Sequence, residues 1–236
     1  MLSSFGWKWL KLLLNRQQKA EGDALRVLSD DLGHYRSVLE VRCVDAAGEE
    51  IPWYAYSAIE YIDSYDLNGV RVLEYGSGHS SVFYAKRGAM VTAIEHSQGW
   101  YDEVSKTLAR SAGFDIHLAT EPETYTRRPE VADADIVAID GIHRRLCAGY
   151  VMEEVKAGRA VPALIVLDNS ERYPRVLASL DAAMRWPRAD FTDFAPINAY
   201  RQVTSIYFNP ARQISRRRAP APIGGLGEIA PDDGPL

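Results

Sequence analysis

Four carboxylates stand where apolar runs stop, and they are the residues of this 236-residue chain best placed to do chemistry. Glu74 closes the run from Val70, Glu95 the run from Met90, Asp140 the run from Ile136, and Asp168 the run from Ala163. In an open α/β sheet, ligands gather beyond the carboxyl ends of the strands, so acids at those ends face a ligand. Asp140 opens Asp140-Gly141-Ile142-His143-Arg144, and Asp168 is followed by Asn169. Asp140, Asp168 and Asn169 together offer a hard oxygen set suited to Mg²⁺ or another divalent cation. His143 is a candidate base, since an imidazole can accept a proton at pH 7, and Asp140 is the other candidate proton acceptor. Plainer roles stay open: Asp140 can bond backbone amides, Asp168-Asn169 can start a turn, and His143 can cap a helix.

The element that must position the first two acids is Val70 to Ile94. Val70, Val72 and Leu73 read as a buried strand, and Gly76 and Gly78 make a tight turn in which no Cβ obstructs a ligand. A short helix follows from His79 to Arg87 and stops at Gly88; a second strand, Met90 to Ile94, then ends on Glu95. A strand-turn-helix-strand unit with an acid at the tip of its second strand is the layout of a nucleotide-binding half-sheet. A dinucleotide motif has a third glycine where Ser81 stands, and the carboxylate of Glu74 repels a pyrophosphate but suits an ammonium and a sulfonium.

Glu74-Tyr75-Gly76-Ser77-Gly78 resembles the first motif of class I S-adenosylmethionine-dependent methyltransferases, and Glu95, 21 residues after Glu74, resembles their ribose-binding acid. The resemblance covers roughly residues 50 to 209. It implies a Rossmann-like, seven-stranded, mostly parallel sheet with helices on both faces and an antiparallel edge strand. It also implies S-adenosylmethionine contacts from Glu74, Tyr75, Gly76, Ser77, Gly78, Ser80, Glu95 and His96. Asp140 and Asp168-Asn169, 28 residues apart, are similar to the metal positions of catechol-type O-methyltransferases, with His143 where those enzymes have a lysine base. The wording around these positions is closer to uncharacterised bacterial methyltransferase-like proteins. The implied activity is methyl transfer to a hydroxyl of a small molecule or sugar, with a divalent metal as an option. Two rivals stay open: an NAD(P)-dependent oxidoreductase, and a methyltransferase-like module that binds without catalysing.

Composition sets the outer bounds. A hydrophobic fraction of 47% allows a sizeable core, and a net charge of −5 argues against broad nucleic-acid binding. Two cysteines, Cys43 and Cys147, make no disulfide framework, which fits a reducing, cytoplasmic compartment. No apolar run has the length to span a bilayer. The domain reading is an N-terminal helical or irregular extension over 1–50, the α/β domain over 51–210, and a disordered tail over 211–236.

Met1 to Lys19 is basic and amphipathic; it suits weak contact with a membrane surface or a partner, and equally packing on its own domain or in a homodimer. Ser37 to Val44 reads as a short β or irregular segment. Trp53, Tyr54 and Tyr56 precede the glycine motif, and one or two of them are expected at the cleft and the rest in the core. Ser57 and Glu60 form a capping-box pattern for the next helix. Trp100, Val104 and Leu108 share one helix face, Thr120 to Glu130 reads as a loop, and Phe191–Phe194 with Thr204–Phe208 reads as an antiparallel pair. Arg144, Arg145 and Arg172 suit either an anionic substrate or a solvated face.

Overall fold

The computed structural model describes residues 15–217. Its strands are the apolar runs: β1 (Arg71–Tyr75), β2 (Met90–Glu95), β3 (Phe114–Leu118), β4 (Ile136–Ile139), β5 (Leu164–Asp168), β6 (Arg188–Phe194) and β7 (Arg201–Phe208). They form one sheet in the order β3-β2-β1-β4-β5-β7-β6. β3 through β5 run parallel, and β7 lies antiparallel to both β5 and β6. Every residue of β4 and β5 is buried, as expected of strands covered on both faces, whereas the edge strands β3 and β6 are partly exposed.

Eight α-helices lie among the described residues: α1 (Arg16–Arg26), α2 (His34–Glu40), α3 (Tyr56–Asp63), α4 (His79–Lys86), α5 (Gln98–Leu108), α6 (Pro122–Thr126), α7 (Arg144–Lys156) and α8 (Pro174–Met184). Alternate strand residues point to opposite faces, and this divides the core in two. Val72, Ala138 and Val166 pack with Tyr54, Ile62 and Phe83 on one face. Leu73, Val137 and Ile165 pack with Cys147, Val151 and Leu180 on the other. Both cysteines are free and buried. Among the described residues, no helix is long and apolar enough to cross a membrane.

Three local expectations change. Ser37 to Val44 is α2 and a turn, with a single bridge from Val44 to Glu50 in place of a strand. The cause is local: the Ser37 hydroxyl donates to Val44 O at 2.7 Å and accepts from Val44 N at 3.1 Å, folding the segment back on itself. The Ser57 capping box is absent because α3 starts two residues earlier, with Ala55 at its N-cap and no side-chain cap bond. The Ala55 N–H goes to Thr204 Oγ1 at 3.0 Å, so a strand far along the chain supplies the oxygen. The polar stretch 120–130 contains α6, which begins on Pro122, a residue preorganised for a first helical position.

The N-terminal extension is described from residue 15, and the amphipathic residues 1–14 lie outside the described range. Residues 211–217 are held against the domain: Asp66 N donates to Ser215 O at 2.8 Å, and the Arg216 guanidinium sits 4.0 Å from the centre of the Tyr65 ring. The rest of the expected tail, 218–236, lies outside the described residues.

Candidate active site

At the carboxyl end of β1 the backbone turns at Gly76, whose φ of +106° favours glycine. Its N–H donates to Ile94 O at 2.8 Å, tying the turn to β2. A Cβ on Gly76 would meet Gly141 Cα and N at 2.9 Å, and Gly141 N donates to Tyr75 O at 2.5 Å. The two turns after β1 and β4 therefore touch backbone to backbone. Gly78 differs, because a Cβ there would meet nothing within 4 Å. Its backbone faces open space.

Glu95 is 3% exposed and serves as a hub. Ser77 N and Oγ both donate to its Oε2 at 2.9 Å, and His96 N and Ser97 N donate to Oε1 at 2.8 and 2.7 Å. Glu74 lies beneath the turn and accepts the Ser81 hydroxyl at 2.5 Å; the Ser81 oxygen in turn accepts from Gly78 N at 3.3 Å. Burial raises the Glu74 carboxyl from an ordinary 4.5 to about 7.

Asp140 and Asp168 meet at the ends of β4 and β5 with their carboxyls within hydrogen-bonding reach. Burial pushes Asp140 up to about 6, against the pull of Arg144. Asp168 is pushed well above the usual carboxylate range, first by burial and then by the charge of Asp140. Each of the two carboxylates disfavours the ionisation of the other. The Arg144 guanidinium, at the start of α7, spans both strand ends. It donates to Asp140 Oδ1 at 2.9 Å, to Asp140 O at 2.6 Å, to Gly141 O at 3.0 Å and to Asn169 Oδ1 at 3.2 Å, and also to Asp168 O. Asp168 further accepts the Thr204 hydroxyl at 2.5 Å and both its oxygens accept from Gln202 Nε2 at 3.2 Å. The oxygens expected to take a cation are thus engaged by protein donors, and a fixed guanidinium supplies the positive charge. Among the described residues, no group of three or more His, Cys, Asp and Glu is arranged to hold a metal ion.

A cavity of about 360 Å³ joins the glycine turn to this acid pair. Of the residues expected from the sequence, Ser77, Gly78, Ser80, Asp140, Asp168 and Asn169 line it. Glu74 and Glu95 are buried outside the lining, Gly76 and the exposed His96 are not part of it, and Tyr75 turns away into the core, where its hydroxyl donates to Thr126 O at 2.9 Å. His143 is exposed at a left-handed φ of +53°, makes an edge contact with Tyr125 and is not part of the lining. Of the aromatics before the motif, Trp53 reaches the cavity, while Tyr54 and Tyr56 are core. Sequence reasoning missed Asn198, Tyr200 and Gln202, which lie on the approach to β7 and carry no motif. It also took Trp100 for part of a helix face, whereas only Val104 and Leu108 are buried and Trp100 lines the cavity. The one signal for Trp100 was its place just after Glu95.

Neither a family profile nor a curated protein matches the sequence. Among solved structures, cofactor-bound Rv0187 from MTB matches with a TM-score of 0.52 and 15% identity, over 80% of this chain and 95% of that one. Fibrillarin from Aeropyrum pernix, with natively bound S-adenosyl-L-methionine, matches with a TM-score of 0.46 and 14% identity over 63% and 74% of the two chains. Precorrin-6y C5,15-methyltransferase from Geobacter metallireducens matches with a TM-score of 0.44 and 12% identity over 64% and 87%. The sheet order and the likeness to Rv0187 bear out the architecture that the resemblance implied: the chain has a Rossmann-like fold with a seven-stranded, mostly parallel sheet closed by antiparallel strands at one edge.

Proposed function

We propose that the protein is an S-adenosylmethionine-dependent methyltransferase acting on a hydroxyl oxygen. The observation that carries this reading is the single cavity running from the glycine turn to the Asp140–Asp168 pair. The open backbone at Gly78 fits a ligand passing close over the turn, and Glu95 at the tip of β2 is the acid that the family resemblance assigns to the ribose hydroxyls. When bound, the cofactor supplies an activated methyl group on sulfur. The chain's task is to hold an acceptor oxygen in line with that carbon, since proximity and alignment account for much of such a rate. As the oxygen–methyl bond forms and the carbon–sulfur bond breaks, its electron pair stays on sulfur. Asp140 takes the hydroxyl proton. It lines the cavity, and Arg144 fixes its orientation by donating to Oδ1 at 2.9 Å. His143, the other base suggested by the sequence, stands outside the cavity lining, which favours Asp140.

The expected divalent cation rests on Asp140, Asp168 and Asn169 alone, as does the catechol-type likeness. With their oxygens engaged by Arg144, Gln202 and Thr204, a guanidinium-organised site is the better fit. Calorimetric titration with S-adenosylhomocysteine, with Mg²⁺ and again with a chelator, tests both points. Micromolar binding of equal strength in the two conditions is expected. Absence of binding in both would sink the methyltransferase reading and return attention to nicotinamide cofactors. Binding that needs Mg²⁺ would restore the metal.

A further inference from the structure

Resting on that reading, we infer that the acceptor is a saccharide ring, held between aromatic faces at the cavity mouth and a wall of amides and carboxylates inside it. Three aromatic residues from separate segments line the cavity and remain about half exposed: Trp53 at 45%, Trp100 at 42% and Tyr200 at 53%. Large rings left exposed at a cavity mouth, in a chain that buries Tyr54, Tyr75, Tyr84 and Tyr125 completely, offer apolar faces to a ligand. Trp53 is anchored by its backbone, since its carbonyl accepts from Gln202 Nε2 at 2.9 Å. Its indole is free to serve as a platform.

The inner wall is of a different kind. Asp140, Asp168, Asn169, Asn198 and Gln202 are all planar polar side chains, and the cavity lining includes no Val, Leu, Ile, Met or Phe. They are held in a relay: Asn198 Nδ2 donates to Gln202 Oε1 at 2.6 Å, and Gln202 donates to Asp168. Side chains that combine donors and acceptors in fixed planes match adjacent hydroxyls, each of which both donates and accepts. A catechol presents only two hydroxyls and leaves most of this wall of five planar polar side chains without a partner. A nucleic acid calls for free cations along its phosphates. Of the two arginines in the lining, Arg144 is committed to the strand ends, and Arg172 keeps only its terminal nitrogens for a ligand, its Nε lying 3.5 Å from Glu171 Oε1. The cavity is also at the small end of the usual range of about 300–1,000 Å³ for ligand sites, which suits one ring beside the reactive end of the cofactor. Arg172, on the same lining, gives hexuronic acids an additional partner over neutral hexoses.

The test is saturation-transfer NMR on the full chain saturated with S-adenosylhomocysteine. The probes are a panel of methyl glycosides of hexoses and hexuronic acids, with catechol and a short single-stranded RNA in parallel. The expected result is transfer to one or more glycosides at millimolar concentration, about tenfold weaker in each of Trp53→Ala and Tyr200→Ala. Both variants should keep the wild-type affinity for S-adenosylhomocysteine, which shows that they are folded. Transfer to catechol or RNA without any glycoside, or to no probe at all, overturns the saccharide assignment and leaves the methyltransferase reading intact. Failure of S-adenosylhomocysteine to bind removes that reading first.

Discussion

The two halves of the cavity are built in opposite ways. The half proposed to take the cofactor comes from one continuous stretch: β1, the glycine turn, α4 and β2 span residues 71–95, with Ser77, Gly78 and Ser80 in the lining and the Glu95 hub beside them. The acceptor half is gathered from Trp53, Asp140, Asp168 and the approach to β7 at Asn198–Gln202, segments separated by up to 149 residues in the Trp53–Gln202 hydrogen bond. A ligand class can keep one local motif through many relatives, while the acceptor wall depends on how the sheet edge closes. The cofactor half therefore carries what is general about the site, and the acceptor half what is particular to this chain.

The comparison breaks most sharply at Asp140. Asp140→Asn removes the proton acceptor and is expected to lower kcat by roughly 10²–10⁴-fold with S-adenosylhomocysteine affinity unchanged; an equal loss of cofactor affinity would mean the halves are not separable. In the wild type, kcat/KM should rise with pH through the region of Asp140, which burial holds at about 6, because only the ionised carboxyl accepts a proton.

Arg144→Ala tests whether a buried guanidinium holds the acceptor half together. The side chain is only 11% exposed, so its loss leaves the Asp140 carboxylate and four carbonyl or amide oxygens without this donor. The expected cost is about 3–5 kcal/mol, read as a fall in Tm of roughly 10 °C.

Glu74 separates stability from function within the cofactor half. Its carboxyl is raised from 4.5 to about 7, so the folded state binds the proton more tightly than the unfolded chain. The group's contribution to stability is full below pH 4.5, declines as pH rises towards 7, and is gone above that, on the order of 3 kcal/mol in all. Asp140 and Asp168 shift in the same direction, so the Glu74 share is read as a difference between variants. Glu74→Gln keeps an acceptor for Ser81 and should unfold at higher urea than wild type at pH 8, with the gap closing by pH 4.5. No gap at pH 8 would show that the carboxyl is not strained by its burial.

The smallest expected effect is Glu95→Ala. Loss of one charged hydrogen-bonding hub at the ribose position should weaken S-adenosylhomocysteine binding by about 1.5–3 kcal/mol, or roughly ten- to a hundredfold. Because Ser77 N loses its partner at the same time, Glu95→Gln is the companion that keeps the turn in place. Recovery of most affinity in Glu95→Gln would mean that Glu95 mainly shapes the turn.

What the chain determined by itself is the sheet and its cofactor half. Apolar runs of four to six residues punctuated by Gly76, Gly78, Gly88 and Gly113 fix strands and turns through local backbone preference, and the acid at each strand end follows from the same pattern. Ser37–Val44 misled because the Ser37 hydroxyl closes on Val44 and folds the segment back, and the Ser57 pattern because Thr204 captured the Ala55 N–H. Tertiary structure alone decided which acids pair, and that His143 stands outside the cavity lining while Asn198, Tyr200 and Gln202 form part of it. The physical reason is range. Backbone preference acts over a few residues, whereas the partners of Asp168 are Gln202 and Thr204, brought beside it when β7 enters the sheet antiparallel to β5.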